Sequence, residues 1–107
     1  MTTTFDPLQM RHAAKRASSL LKALANTDRL LLLCQLTEGE HCVSELEQLL
    51  DIRQPTLSQQ LGVLRDECLV STRRDGKQIY YQIASEQALA VLQTLYQQFC
   101  KPSGDSS

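Results

Sequence analysis

No run of this chain is apolar for long enough to span a bilayer, and nothing in it reads as a signal peptide. The default expectation is therefore a soluble, cytoplasmic location with no membrane partner. No Cys-x-x-Cys pair of the kind common in thiol–disulfide enzymes is present. A carboxylate pair, a phosphate-binding glycine loop and a nucleophile triad are missing too. Catalysis has no site to occupy, and no cofactor is called for. Charge of one sign is also scarce: the net charge is -1, which by itself argues against a general polyanion binder. Internal repeats are lacking. What remains is 107 residues, 42% of them hydrophobic, enough for one buried core and too few for two domains.

The charges that are present are segregated. From Glu38 to Asp51 every charged residue is acidic, whereas from Arg53 to Lys77 the basic residues Arg53, Arg65, Arg73, Arg74 and Lys77 outnumber Asp66, Glu67 and Asp75. A nearly neutral chain can thus carry a cationic edge, with modest and strongly salt-dependent affinity per chain. Residues 2–6 read as a mobile lead, and Pro7 opens a helix running towards Ala25. Asn26, Thr27 and Asp28 form a cap-rich break before a helix from Arg29 to Leu36, which Gly39 stops. Ser44 is expected to cap a short helix with Leu46, Leu49 and Leu50 facing inwards. Asp51 to Gln54 turns into the next helix, where Pro55 suits the first helical position. Val70 to Arg74 and Gln78 to Ile83 alternate like strands about an Asp75-Gly76 hairpin signal. A last helix runs from about Ser85 to Phe99, and residues 101–107 read as a disordered tail. The order α-α-α-α-β-β-α describes a mainly α chain with a β-hairpin wing. It is a winged helix-turn-helix with terminal dimerisation helices, a single domain over residues 1–100.

Two stretches point to DNA. In Gln54-Pro-Thr-Leu-Ser-Gln-Gln-Leu-Gly-Val-Leu-Arg65, Leu57, Leu61 and Leu64 recur at helical spacing and face a core. Thr56, Ser58, Gln59 and Gln60 stay on or near the outer side, a face of the kind that meets base edges in a major groove. Gln54 suits a cap or a phosphate contact. The basic tip Arg73-Arg-Asp-Gly-Lys-Gln78 then supplies Arg73, Arg74 and Lys77 for phosphates or an adjacent minor groove. Each set taken alone is an ordinary solvated surface; their adjacency carries the reading. Leu89, Leu92, Tyr96 and Phe99 make a stripe on the last helix that Ala88, Val91 and Leu95 broaden. So wide an apolar surface on a terminal helix favours a two-fold homodimer over a well-buried helix in a small core. A dimer would read two half-sites about 34 Å apart in double-stranded operator DNA.

The chain resembles the ArsR/SmtB-type bacterial winged-helix repressors, over roughly Ala17 to Cys100. The resemblance rests on Leu21-Lys-Ala-Leu-Ala-Asn-Thr-Asp-Arg-Leu30, Val43-Ser-Glu-Leu46, Gln54 to Leu61 and the Arg74 to Tyr81 wing. It implies a homodimeric repressor that leaves its operator when an inducer occupies a remote site. Within that family the chain is most similar to the BigR/SqrR-type sensors of reactive sulfur. Gln54 to Arg65, Leu33-Cys34 and Tyr96-Gln-Gln-Phe-Cys100 carry this finer likeness.

Four cysteines allow three complete pairings, and spacing alone does not choose among them. Cys34, after four leucines in an apolar helix, reads by itself as a small buried hydrophobe. Cys100 precedes a flexible tail and is expected near solvent. The resemblance implies that Cys34 and Cys100 are the sensing thiols, with persulfide or polysulfide as inducer. A direct disulfide needs Cα atoms about 4.4–6.8 Å apart, and a polysulfide bridge tolerates a larger gap. Metal-sensing relatives carry Cys-Val-Cys where this chain has Cys42-Val43-Ser44, and its last helix lacks histidine. Soft metals need two or more well-placed thiolates or imidazoles, so no metal site is assigned, His41 beside Cys42 notwithstanding. Cys68 stands where relatives usually have a helix-ending glycine and reads as adventitious. The alternatives are a metal(loid)-responsive repressor of the same fold, a winged-helix protein-interaction module and, least favoured, a thiol–disulfide enzyme.

Overall fold

The computed structural model describes residues 6–100; the expected mobile lead over residues 2–6, apart from Asp6, and the expected tail over 101–107 lie outside the described residues. Helix α1 (Pro7–Leu24) starts on a proline, whose missing N–H costs nothing at a first helical position. Helix α2 (Thr27–Leu36) begins two residues before the expected Arg29. Asn26 is itself the cap, its Oδ1 accepting the Arg29 N–H at 3.0 Å. Strand β1 (His41–Cys42) was not expected; at two residues it is too short to show alternation.

Helix α3 (Val43–Leu50) is capped by Cys42 rather than Ser44. Glu45 reaches back to accept the Cys42 N–H at 3.1 Å, and the Cys42 side chain faces the third N–H of the helix. Helix α4 (Thr56–Asp66) starts one residue later than expected, with Pro55 as its cap. Strands β2 (Val70–Asp75) and β3 (Gln78–Ile83) form the hairpin. Asp75 pairs with Gln78, so the two-residue turn is Gly76-Lys77. Gly76 has φ +66°, the left-handed conformation a tight hairpin turn wants at its first central residue. The sheet order is β1-β3-β2, all antiparallel, with His41 opposite Tyr81 and Cys42 opposite Tyr80. Helix α5 (Glu86–Phe99) is capped by Ser85, whose Oγ accepts the Ala88 N–H at 3.0 Å.

The core sits between α2, α3, α4 and α5, and Leu32, Leu33, Leu46, Leu57, Leu61, Leu64 and Leu92 are its fully buried large side chains. Leu50 is half-buried, but Leu49, expected to face inwards, is 54% exposed. In so short a helix the apolar positions span more than one face, and Leu46 alone is fully covered. Helix α4 ends in a Schellman arrangement: the Leu69 N–H reaches Leu64 O (2.9 Å) and the Cys68 N–H reaches Arg65 O (3.0 Å). Cys68 therefore adopts φ +62° without being glycine, a strained choice costing on the order of 1 kcal/mol.

Helix α1 contributes little to that core. Only Ala23 and Leu24 are buried on it, while Leu8 and Leu21 are exposed. On α5, Tyr96 and Phe99 are exposed as well. The radius of gyration, 16.1 Å, exceeds the roughly 13 Å of a compact domain near this length. The two terminal helices thus extend apolar surface beyond the core they flank.

Candidate nucleic-acid interface and thiol groove

The α4 face separates into residues that are free and residues that are engaged. Ser58 and Gln59 are exposed, Thr56 and Gln60 half-buried. Gln54 acts as a side-chain cap: its Oε1 accepts the Ser58 N–H at 3.2 Å and the Ser58 hydroxyl at 2.6 Å. That leaves the Ser58 oxygen with acceptor capacity towards solvent. Gln60 is tied inwards, its Oε1 accepting Arg29 Nη1 at 2.8 Å. Gln59 makes no side-chain hydrogen bond among the described residues, which leaves its amide the least constrained on this face.

The wing divides in the same way. Arg73 grips Glu40 through both carboxylate oxygens, with Nε 2.9 Å from Oε2, and its guanidinium lies 4.8 Å from the Tyr80 ring centroid. The Arg73 hydrogen bonds hold the Glu40 carboxyl below its ordinary range, and Glu40 in turn raises Arg73. Arg73 therefore braces the strand to the α2–β1 connection rather than projecting freely. Arg74 and Lys77 form no ion pair among the described residues and are exposed. Of the three cations expected at the tip, these two are the uncommitted ones among the described residues.

Cys34 faces away from the core. Leu32, Leu33 and Leu36 take the inner side of α2, which turns Cys34 outwards beside Leu31, and both are exposed. The reading of Cys34 as a buried hydrophobe thus fails on helical geometry. Across from it the end of α5 brings Cys100, also exposed and unpaired. The two thiols line one groove of about 820 Å³ between α2 and α5, with Leu31, Leu50, Leu89 and Tyr96 among its walls. Although Cys34 reaches solvent, these walls partly desolvate its sulfur. That desolvation first, and the charge of a nearby Cys100 thiolate second, push the Cys34 thiol above its usual value.

A titration follows from that ordering. Alkylation of Cys34 by iodoacetamide, followed by peptide mass spectrometry, should rise with pH at a higher inflection than in an unfolded control peptide. Cys100→Ser should move the inflection down while leaving it above the control, because burial is the larger cause. An inflection in the parent protein at or below the control would contradict this environment.

Cys42 and Cys68 lie elsewhere. Cys42 is buried, 3.3 Å from the Ser44 hydroxyl, and occupied as the α3 cap. His41 Nδ1 is 3.2 Å from Glu45 Oε1. Hydrogen bonds from the Cys42 N–H and then from His41 lower the Glu45 carboxyl below its ordinary range. The pieces of a hypothetical Cys42/His41 metal site are thus engaged in local structure. Among the described residues no three of His, Cys, Asp and Glu gather into a metal-holding group. Arg29 is the residue that sequence reasoning missed: its partners Ala23 O (2.6 Å), Lys22 O (3.2 Å) and Gln60 come from two other helices. Nothing local in the chain signals that junction.

Comparison with known proteins agrees with this geometry. Residues 26–72 match the model of the bacterial regulatory protein arsR family, a helix-turn-helix family. The chain is 53% identical over 93 residues to a biofilm growth-associated repressor of Agrobacterium fabrum, covering 87% of this chain and 80% of that protein. The crystal structure of the transcriptional repressor BigR from Xylella fastidiosa matches with a TM-score of 0.82 at 47% identity, over 90% of this chain and 98% of that one. A homodimeric winged helix-turn-helix DNA-binding domain, Mb0332 from Mycobacterium bovis, matches at 0.70 with 29% identity over 89% and 86% of the two chains. These relatives are regulators with a DNA-binding fold rather than enzymes.

Proposed function

Because the chain belongs to the arsR family of bacterial regulatory proteins, we propose that it is a homodimeric transcriptional repressor whose operator binding is released by persulfide or polysulfide at Cys34 and Cys100. The winged helix-turn-helix fold and the repressor relatives support the DNA-binding half. One observation carries the sensing half: two cysteines far apart in the chain, one on α2 and one closing α5, line a single groove. Gln54, Thr56, Ser58, Gln59 and Gln60 would face the operator from α4, and Arg74 and Lys77, with Arg73 braced behind them, would hold its phosphates. The regulated promoters would be of the sulfide-detoxification type, and the protein would act in the cytoplasm, where its DNA is.

The chemistry is a two-step exchange. One thiolate attacks a polysulfide sulfur, an S–S bond breaks, and a polysulfide one atom shorter leaves with the electron pair. The cysteine becomes a persulfide. The second thiolate then attacks the cysteine-bound sulfur and expels hydrosulfide, closing a disulfide. Two protein thiols are oxidised and two polysulfide sulfurs are reduced. A longer bridge forms if the persulfide first takes up further sulfane sulfur. Either bridge ties the last turn of α2 to the end of α5 and changes the spacing of the paired α4 helices. A coupling of about 1–3 kcal/mol, roughly 5- to 150-fold in affinity, shifts the bound fraction substantially.

Cys34→Ser and Cys100→Ser should each leave operator affinity within about twofold and abolish release by polysulfide. Mobility shift and peptide mass spectrometry read the two properties together. Normal polysulfide release in both variants would sink the sensing half. A zinc or arsenite response surviving both variants would move the protein to the metal-responsive branch.

A further inference from the structure

The hydrogen bond between Arg29 and Gln60 has a chemical consequence for sequence recognition. A guanidinium carries only donors, so the Gln60 atom that faces Arg29 Nη1 at 2.8 Å must be the carbonyl oxygen, not the amide nitrogen. Arg29 is itself firmly placed. Its Nε donates to Ala23 O at 2.6 Å, its Nη2 to Lys22 O at 3.2 Å, and its backbone N–H to Asn26 Oδ1 at 3.0 Å. Two carbonyls closing α1 and the cap of α2 therefore fix the cation that fixes the amide. Gln60 is half-buried on the α2 side of α4, four residues after Thr56, so one end of its amide is committed inwards.

A free glutamine reads adenine by using both ends of its amide, the oxygen accepting from N6 and the nitrogen donating to N7. With its oxygen turned inwards onto a cation, Gln60 presents Nε2 to a base edge rather than both ends of its amide. The geometry points to Arg29 as a positioning residue that makes Gln60 a donor-only contact. Gln60 then selects the base edge with two acceptors, guanine N7 and O6, at one symmetric position of each half-site. Gln59, whose amide is unengaged, keeps the two-ended pairing that suits adenine. This inference rests on α4 being the DNA-reading helix.

The test is selection from a randomised double-stranded DNA pool by the full-length protein, with sequencing of the bound fraction. The parent protein should enrich a G·C pair at one symmetric position. Gln60→Ala should erase that preference and leave the rest of the motif standing. Arg29→Met frees the Gln60 oxygen and should raise adenine at the same position about tenfold. Arg29→Lys restores a donor-only partner and should keep the parent preference, a rescue that mere loss of folding cannot mimic. A motif unchanged in Gln60→Ala, or an A·T pair in either orientation at the Gln60-dependent position of the parent, would overturn the inference even if Arg29→Met fails to fold. Absence of any enriched sequence with the parent protein would instead overturn the DNA-reading role of α4, and the inference with it.

Discussion

Leu57→Ala is expected to lower the unfolding free energy by about 3 kcal/mol, read as a fall in the urea midpoint with an unchanged slope. Leu57 is fully buried in the first turn of α4, among the side chains that join α4 to α2. Truncation removes apolar contact and leaves a void that the α2–α4 packing cannot close without moving the helix. In a domain of ordinary stability that is a large share of the total. Leu49→Ala is the matched control. Leu49 is the same residue type on the neighbouring helix, but it is exposed, and its loss should cost about 0.5 kcal/mol or less. Both measurements need one fixed protomer concentration, since assembly adds to apparent stability. Equal costs for the two leucines would mean that α4 is not seated on the core as described. The same void should loosen the presentation of Ser58 and Gln59, so operator affinity should fall with stability.

The Leu57/Leu49 contrast also marks what the chain discloses by itself. Leu57, Leu61 and Leu64 repeat over about two turns, and all three are buried. Val70 to Arg74 and Gln78 to Ile83 flank the Asp75-Gly76 turn signal, and the strands pair antiparallel across it. Such elements are legible because their signal is local and repeated. Strand β1 is not, since a two-residue strand exists only through its bonds to Tyr80 and Tyr81, far along the chain. The Cys42 cap escapes notice for a related reason: a cysteine in that place is an unusual capping residue, and Ser44 nearby is a common one. At the candidate site, residue types identify which side chains matter but not how they are committed. Arg73 and Arg74 are chemically identical neighbours, and only the fold shows that Glu40 holds the first. Gln59 and Gln60 are likewise adjacent, and Arg29 separates their roles. The convergence of Cys34 and Cys100 on one groove depends on how α2 and α5 pack, which no spacing along the chain encodes.

Leu21→Asp combined with Phe99→Asp is expected to split the proposed dimer and weaken operator binding by about 10²–10⁴-fold. Leu21 is 58% exposed and Phe99 81%, on the two helices that extend beyond the core. Neither supports the protomer's own packing, so the folded protomer should survive with a stability change of about 0.5 kcal/mol or less. In a two-fold interface each substitution occurs twice, and a carboxylate placed against an apolar surface must be desolvated without a partner. Losing the partner removes the second α4 helix and half of the phosphate contacts. Binding to a single half-site should persist, because the α4 face and the wing belong to one protomer. The slope of affinity against salt concentration should fall to about half, since it counts phosphates neutralised. Sedimentation equilibrium and a salt titration of operator binding read these outcomes independently. An unchanged dimer mass with parental operator affinity would show that α1 and α5 are not where the two copies meet. A monomer that kept full operator affinity and the full salt slope would show that a single α4 and wing account for recognition.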